Sequence, residues 1–223
     1  MADNYLDNLN KKIYSIDELK DDITTPRNIL ILSRSGSGKS VLIKNLISML
    51  LKNHDFNCII LYSKTARYET EYDFINEDCK YDGDLDELIT NILNYQKKNL
   101  NNNLLFLLDD LDVTKKSDML SDLFTKSRHF RITILLSSQY VKTLVSSTIR
   151  SNFHYLFFNQ LNFENLECIY KIVYIDIDKK SFFNFIYNIK EKYAFFFYDN
   201  TGKQLNESYK LVRADIINFK IKI

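Results

Sequence analysis

The chain has 223 residues, of which 45% are hydrophobic and 26% are charged, and this balance is typical of a globular protein rather than a disordered or fibrous one. Its 30 basic and 29 acidic residues leave a formal charge of +1, so the overall charge does not by itself indicate nucleic acid, an anionic membrane or an acidic partner. The apolar runs are about five or six residues long, far short of the roughly 20 that a membrane helix requires, and we expect no membrane association.

Short apolar segments alternate with segments of helical periodicity along the first 160 residues. The predicted strands occupy residues 28–32, 58–62, 104–108, 132–136 and 154–158, and the predicted helices residues 40–51, 85–96 and 117–127. Residues 64–84 are polar and acidic and are expected to form a long excursion between a strand and a helix. Continuous apolar strands separated by helices predict an α/β fold with a doubly wound, mainly parallel sheet.

The segment beyond residue 160 has a different pattern. Two helices are predicted at 164–174 and 180–189, followed by strands at 193–198 and 209–212 that flank a turn at 199–202. This order predicts a C-terminal β-hairpin at the edge of the sheet. We expect one domain over residues 1–223, consisting of an N-terminal extension (1–25), a nucleotide-binding core (26–160) and the C-terminal helices and hairpin (161–223).

Two of the four glycines in the chain lie together between the first predicted strand and the first predicted helix. The segment S-R-S-G-S-G-K-S resembles the Walker A motif G-x-x-x-x-G-K-[ST], with Ser33 in place of the first glycine. Glycine lets the backbone wrap a phosphate, Lys39 supplies a charge for the β- and γ-phosphates, and Ser40 offers a hydroxyl to Mg²⁺. The alternative is a turn that merely joins strand to helix. The expected ATP-binding residues are Ser35, Gly36, Ser37, Gly38, Lys39, Ser40 and Val41.

The third predicted strand ends in carboxylates about 70 residues after Lys39, in the sequence L-L-F-L-L-D-D-L-D. In P-loop folds this pattern is the Walker B motif, whose first acid holds Mg²⁺ and whose neighbour orients and deprotonates the attacking water. We therefore expect Asp109, with Ser40, to bind the metal and Asp110 to act on the water. A solvated strand end, or a helix cap at Asp112, is the alternative interpretation.

Two further residues are candidates for catalysis. Gln139 follows the fourth predicted strand, directly after Ser137 and Ser138, where its amide could donate to a phosphate and accept from water. Arg150 lies before the fifth strand and could stabilise transition-state charge on the ATP of a neighbouring subunit. An ordinary loop position for Gln139 and a surface or structural salt bridge for Arg150 remain open. Residues 128–131, R-H-F-R, could touch DNA or form a solvated helix end.

The motifs S-R-S-G-S-G-K-S, L-L-D-D-L, S-R-H-F-R-I-T-I-L-L-S-S-Q-Y and I-R-S-N together resemble the genome-packaging ATPases of poxviruses and other large DNA viruses, compact members of the FtsK-HerA superfamily of P-loop NTPases. The resemblance covers roughly residues 25–200 and implies a RecA-like (ASCE) sheet. Asp110 stands where the wider superfamily usually has Glu. The family consists of ring-forming motors that move double-stranded DNA into preformed capsids.

The resemblance implies ATP hydrolysis with Mg²⁺, double-stranded DNA as a partner and a homo-oligomeric ring, with a capsid or portal protein as a further partner. It also implies an intracellular location, at the viral assembly site in the host cytoplasm or in the virion. Three cysteines without a C-x-x-C pair agree with a reducing compartment.

Two other functions remain open from the residues alone. A P-loop kinase of a nucleoside or small molecule would need an arginine-rich lid, and residues 64–84 contain only Lys64, Arg67 and Lys80 as cations. A protein that uses bound nucleotide for assembly without hydrolysis would have no need of Asp110. Guanine specificity is not expected because no N-K-x-D sequence occurs.

Overall fold

The computed structural model describes residues 12–219 except 66, 69, 112–116, 142–145, 174, 176 and 203–206. The strands in these ranges are β1 (Ile13–Ser15), β2 (Asn28–Ser33), β3 (Cys58–Tyr62), β4 (Lys80–Tyr81), β5 (Leu104–Leu108), β6 (Ile132–Ser138), β7 (Tyr155–Asn159), β8 (Ala194–Asp199) and β9 (Tyr209–Arg213). The α-helices are α1 (Lys39–Asn53), α2 (Leu85–Lys98), α3 (Asp118–Lys126), α4 (Ser147–Asn152), α5 (Phe163–Tyr170) and α6 (Lys179–Tyr187).

The described strands form one sheet in the order β1-β9-β8-β7-β2-β6-β5-β3-β4. β2 is flanked by β6 and β7, and the strands from β7 to β4 in this order are parallel to one another. β8 is antiparallel to both β7 and β9, so the mainly parallel sheet with a C-terminal hairpin is confirmed. The predicted edge position of the hairpin is wrong, because β1 from the N-terminal segment pairs in parallel with β9.

Both faces of the sheet are covered, as the continuous apolar strands predict. On β2, Leu30 and Leu32 belong to the core that contains the apolar side chains of α2 and α3. Ile29 and Ile31 point to the opposite face, where α1 packs. Side chains alternate along a strand while helices lie on both faces, and this arrangement accounts for the absence of hydropathy alternation within the strand. The doubly wound α/β class is confirmed.

The excursion predicted at 64–84 packs against the sheet through part of its length. It contains two short 3-10 turns, Thr70–Tyr72 and Glu77–Cys79, before β4. Tyr72, Phe74 and Ile75 are buried in the same core as α1. A few large apolar side chains in an otherwise polar segment therefore hold it beside the carboxyl end of the sheet, next to the loop between β2 and α1.

β6 is two residues longer than predicted, and this changes the placement of its polar end. Ser137 and Ser138 lie within the strand and are fully buried, rather than following it in a loop. Ser138 Oγ donates to the Leu111 carbonyl at 3.0 Å, and Ser137 Oγ donates to the Asp109 carboxylate. Buried hydroxyls need such partners, so these two serines join β6 to the segment after β5. Only Gln139, directly beyond them, faces open space.

Candidate active site

The loop between β2 and α1 is built around two glycines and a pair of serine hydroxyls. Gly36 and Gly38 have φ values of 72° and 95°, which non-glycine residues rarely adopt. Ser33, at the position of the first motif glycine, is fully buried, and its Oγ lies 2.6 Å from Ser37 Oγ. Ser37 Oγ also donates to the Arg34 carbonyl at 2.7 Å. The substitution of serine for glycine thus adds a hydrogen bond that closes the loop internally.

Asp109 follows β5 and is held by hydroxyls from two other parts of the chain. Tyr72 Oη donates to one carboxylate oxygen at 2.5 Å, and Ser137 Oγ donates to the other. Hydrogen bonds to an ionised acceptor are stronger than neutral ones and fix its orientation. The metal-binding prediction thus falls on a carboxylate whose position is determined by the excursion and by β6.

Asp110 lies on the other side of the strand end, with a left-handed backbone (φ 46°) and a side chain that is 51% exposed. Gln139 Nε2 donates to its Oδ1 at 3.0 Å, and Lys39 Nζ lies 3.7 Å from the same oxygen. Lys39 Nζ also donates to the Ser33 carbonyl at 3.3 Å. The three side chains predicted for catalysis at this end of the sheet therefore form one connected group.

A cavity of about 680 Å³ opens above these residues at the carboxyl ends of β2, β5 and β6. Parallel strands bring their carboxyl ends to one edge of the sheet, which explains why distant motifs meet there. Of the predicted ATP-binding residues, Ser37 alone does not line the cavity, since its hydroxyl is engaged within the loop. The predicted site residues that line the cavity are Ser35, Gly36, Gly38, Lys39, Ser40, Val41, Asp109, Asp110 and Gln139.

Sequence reasoning missed several residues at this cavity. The excursion contributes Thr65, Tyr68, Thr70 and Glu71 to its wall. Tyr193, just before β8, also lines it, and a Cβ placed on Gly38 would lie 2.4 Å from the Tyr193 ring. Tyr193 has a φ of 60°, an unusual conformation for an aromatic residue. The tyrosines within the polar excursion could have indicated that this segment packs near the site. Nothing in the sequence pattern indicated Tyr193.

Arg150 is not brought to this cavity within one chain. It is exposed on α4, the helix whose Asn152 carbonyl accepts from Asn28 Nδ2 at 2.7 Å. Asn28 begins β2, so α4 lies near the opposite end of the sheet from Ser33, where β2 ends. Arg128 and Arg131, which precede β6, lie at that same end. A role of Arg150 on a neighbouring subunit stays a prediction, and Asp112 lies outside the described residues.

The chemistry of the cavity suits a Mg²⁺-bound phosphate. Ser40 and Asp109 present a hydroxyl and a carboxylate, which are oxygen ligands of the kind Mg²⁺ takes, usually from one or two protein groups together with substrate phosphates. Among the described residues no group of three or more His, Cys, Asp or Glu side chains could form a metal cage by itself. None of the described helices is long and apolar enough to cross a membrane.

Residues 14–196 match the family model described as Poxvirus A32 protein. A 144-residue stretch is 29% identical to the ORC1-type DNA replication protein 1 of Methanothermobacter thermautotrophicus, and covers 57% of this chain but only 38% of that protein.

Similar folds occur among solved structures. The genome packaging NTPase B204 of Sulfolobus turreted icosahedral virus 2, in complex with sulfate, has a TM-score of 0.63 at 15% identity, over 88% of this chain and all of that one. Its complex with ATP-gammaS has a TM-score of 0.61 at 17% identity, over 87% of this chain and all of that one. The pCW3 conjugation coupling protein TcpA has a TM-score of 0.59 at 16% identity, over 88% and 61%. The fold is therefore that of P-loop NTPases, and by the family match the chain belongs to the poxvirus A32 protein family.

Proposed function

We propose that this chain is an ATPase that translocates double-stranded viral DNA into a capsid. The observation that carries the proposal is the single cavity around which Lys39, Ser40, Asp109, Asp110 and Gln139 converge. A lysine, a hydroxyl and two carboxylates around a glycine-rich loop form the group that phosphoryl transfer from a nucleotide needs. Membership of the A32 family and the likeness to the genome packaging NTPase B204, solved in complex with ATP-gammaS, support this function.

The loop residues bind the triphosphate in this proposal. The N–H groups of residues 35–41 and the start of α1 face the phosphates, and Lys39 pairs with the β- and γ-phosphate oxygens. Ser40 and Asp109 would hold Mg²⁺, which would offset the negative charge of the phosphates. Tyr72 and Ser137 keep the Asp109 carboxylate turned toward that position.

Asp110 and Gln139 act on the attacking water. Asp110 accepts the proton of the water, and Gln139 positions it, since its amide already contacts both Asp110 carboxylate oxygens at 3.0 and 3.3 Å. Lys39 Nζ lies 3.7 Å from the same carboxylate. Because Lys39 pairs with the phosphates in this proposal, Asp110 is left free to accept a proton.

The motor works as a homo-oligomeric ring. In a head-to-tail ring the two surfaces that meet are different, so groups at opposite ends of one subunit can meet between neighbours. The cavity lies at the carboxyl end of the sheet and Arg150 near the other end, and this separation would allow the two to meet between neighbours. We propose that Arg150 of one subunit stabilises the transition state on its neighbour's ATP.

Residues 26–160 supply the nucleotide-binding core of the single ATPase domain in this proposal, with 1–25 as an extension and 161–223 as the C-terminal helices and hairpin. The capsid or its portal is the docking partner, and the host cytoplasm at the viral assembly site is the place of action. A kinase is less well supported, because no Arg or Lys of the described excursion lines the cavity as a lid would require.

ATP turnover with and without duplex DNA tests the proposal, combined with sedimentation to count subunits. We expect DNA to stimulate turnover, and Lys39→Ala to lower it at least about 100-fold, the scale of losing one charge-stabilising group. Lys44→Ala on the same helix, whose side chain does not line the cavity, is the matched control and should retain activity. Absence of wild-type turnover would contradict the ATPase, and turnover indifferent to DNA in every assembly state would contradict translocation.

A further inference from the structure

A second cavity, of about 600 Å³, lies beside the first and shares one residue with it. It opens at the carboxyl ends of β2, β6 and β7, and Gln139 lines both cavities. The residues that give this second cavity its polar and aromatic character are Arg34, Tyr140, Gln160, Asn162, Asn165 and Tyr187. None of these six was assigned a function from the sequence, and none belongs to the nucleotide cavity.

The lining is rich in hydrogen-bond donors and carries positive charge. Among the described residues of the lining, Arg34 is the one that carries a charge, and none contributes a carboxylate. Arg34 Nε donates to Gln160 Oε1 at 3.0 Å, and the ion pairs of the described residues include none to this guanidinium. Its terminal nitrogens thus remain available for an anion. An isolated anion site would need only such a charge and the amides.

Two exposed tyrosines in the lining add groups that an isolated anion does not need. Tyr140 and Tyr187 are 51% and 53% exposed, so both rings are open to a molecule that enters the cavity. Arginine, amide and tyrosine side chains together are the groups that contact phosphate and sugar along a nucleic-acid strand. A polynucleotide backbone uses all of them, and an isolated phosphate does not.

The shared residue connects this cavity to catalysis. The side-chain Nε2 of Gln139 donates to Asp110, while its backbone carbonyl accepts from Asn165 Nδ2 at 3.3 Å. The next residue, Tyr140, donates its N–H to Ser138 Oγ on β6 at 3.0 Å. A molecule that contacts Asn165 or Tyr140 therefore acts on the segment that holds Gln139 against Asp110.

We propose that the second cavity binds a backbone phosphate of duplex DNA, and that Gln139 transmits its occupancy to Asp110. The inference rests on the proposed function, because it names where the DNA of that motor engages the subunit. It explains how DNA binding changes the rate of hydrolysis without contact between DNA and ATP, since one side chain forms part of both walls.

The first experiment measures binding of a fluorescent DNA duplex by anisotropy over a range of salt concentrations. Arg34→Gln removes the charge and keeps a polar side chain, and we expect it to weaken binding about 5- to 10-fold and to reduce the salt slope by about one. Tyr95→Ala removes a comparably exposed tyrosine on α2 and is the control, expected to bind like the wild type. Unchanged affinity and slope in Arg34→Gln would overturn the inference.

The second experiment measures ATP turnover of Tyr187→Ala with and without duplex. We expect the stimulation by DNA, taken as the ratio of turnover with duplex to turnover without it, to fall several-fold relative to the wild type. If the wild type is stimulated and both Tyr187→Ala and Arg34→Gln are stimulated equally, the second cavity is not the DNA site, although the motor function stands. If the wild type does not bind DNA and its ATP turnover is not stimulated by DNA, both the motor function and the DNA site in the second cavity are contradicted.

Two further arms separate other occupants. Inorganic phosphate at millimolar concentration is added to the anisotropy assay at constant ionic strength, and we expect no displacement of the duplex. If phosphate displaces the duplex from the wild type but not from Arg34→Gln, the cavity is assigned to a free anion instead of DNA. Sedimentation of Tyr187→Ala without DNA should match the wild type. A loss of assembly there would assign the surface to contact between subunits and overturn the DNA assignment.

Discussion

At the scale of single residues, the carboxylate of Asp109 shows how contacts within the chain orient a side chain of the site. Its two oxygens accept hydrogen bonds from Tyr72 and Ser137, which stand 37 and 28 positions away in the chain. Each donor is held in a buried environment, so the carboxylate has little freedom to rotate. Such outer contacts are known to tune the affinity of a metal ligand, and Tyr72 is therefore a positioning residue in the proposed reaction.

Replacing Tyr72 by Phe removes one donor to Asp109 and leaves the buried ring in place. Since a hydrogen bond to a charged group contributes about 1.5 to 3 kcal/mol, we expect the Mg²⁺ concentration for half-maximal turnover to rise about 10- to 100-fold. High Mg²⁺ should then restore most of the rate. Tyr81→Phe, at an exposed tyrosine of β4, is the control. An unaltered Mg²⁺ dependence in Tyr72→Phe would show that the contact does not position the metal ligand.

At the scale of elements, one buried amide connects the opposite end of the sheet to its covering helices. Asn28 begins β2 and is fully buried. Its Nδ2 donates to the Phe124 carbonyl at 2.9 Å and to the Asn152 carbonyl at 2.7 Å, and its Oδ1 accepts from Ser127 Oγ at 2.8 Å. These hydrogen bonds satisfy carbonyl groups at the ends of α3 and α4, where a helix supplies no partner of its own.

Asn28→Ala is expected to lower the free energy of unfolding by about 2 to 4 kcal/mol. Three hydrogen bonds are lost, and the buried Phe124 carbonyl and Ser127 hydroxyl keep only their 3.3 Å contact with each other in exchange. Urea denaturation followed by circular dichroism measures the change. Asn101→Ala, at an exposed turn, should differ from the wild type by no more than about 0.5 kcal/mol. A shift of that small size in Asn28→Ala would contradict the structural role.

At the scale of the whole molecule, we expect stability to depend on pH through His154, which contacts the backbone of Asn28. His154 Nδ1 accepts from the Asn28 N–H at 3.1 Å, so the ring is bound in its neutral form. Burial, reinforced by the positive charges of Arg27 and Arg128 and opposed by Asp199, lowers its pKa from 6.5 to about 4. Below pH 6.5 the unfolded chain takes up a proton that the folded chain does not.

The folded state should therefore keep the full contribution of His154 above about pH 6.5 and lose it as the pH falls toward 4. We expect a loss of about 1 to 2 kcal/mol, which is less than the full shift implies because solvent reaches part of the ring. His154→Asn retains an acceptor and cannot titrate. If thermal unfolding of the wild type and His154→Asn shows the same pH dependence between 4 and 6.5, the prediction is wrong.

Much of the fold could be predicted because each strand of the parallel core is a continuous apolar run. β3 and β5 have the predicted bounds, and the helix predicted at 40–51 is observed as α1, which buries its apolar residues Leu42, Leu46, Met49 and Leu50. The short strand β1 was missed because three residues carry too little periodicity to distinguish from a loop. The buried end of β6 was missed because serine side chains reveal burial only through their partners.

The sequence by itself determined the P-loop and the acidic strand end, since glycine, lysine and aspartate at those spacings are required by phosphate chemistry wherever the strands lie. Only the tertiary structure decided what surrounds them. Tyr72 and Tyr193 lie at the site because the order of the strands brings distant segments of the chain together there. The periodicity of the sequence does not specify that order. The same strand order separates Arg150 from the nucleotide cavity and places Gln139 in the walls of both cavities. Contacts between residues distant in the chain depend on how the elements pack, and local pattern carries no record of that.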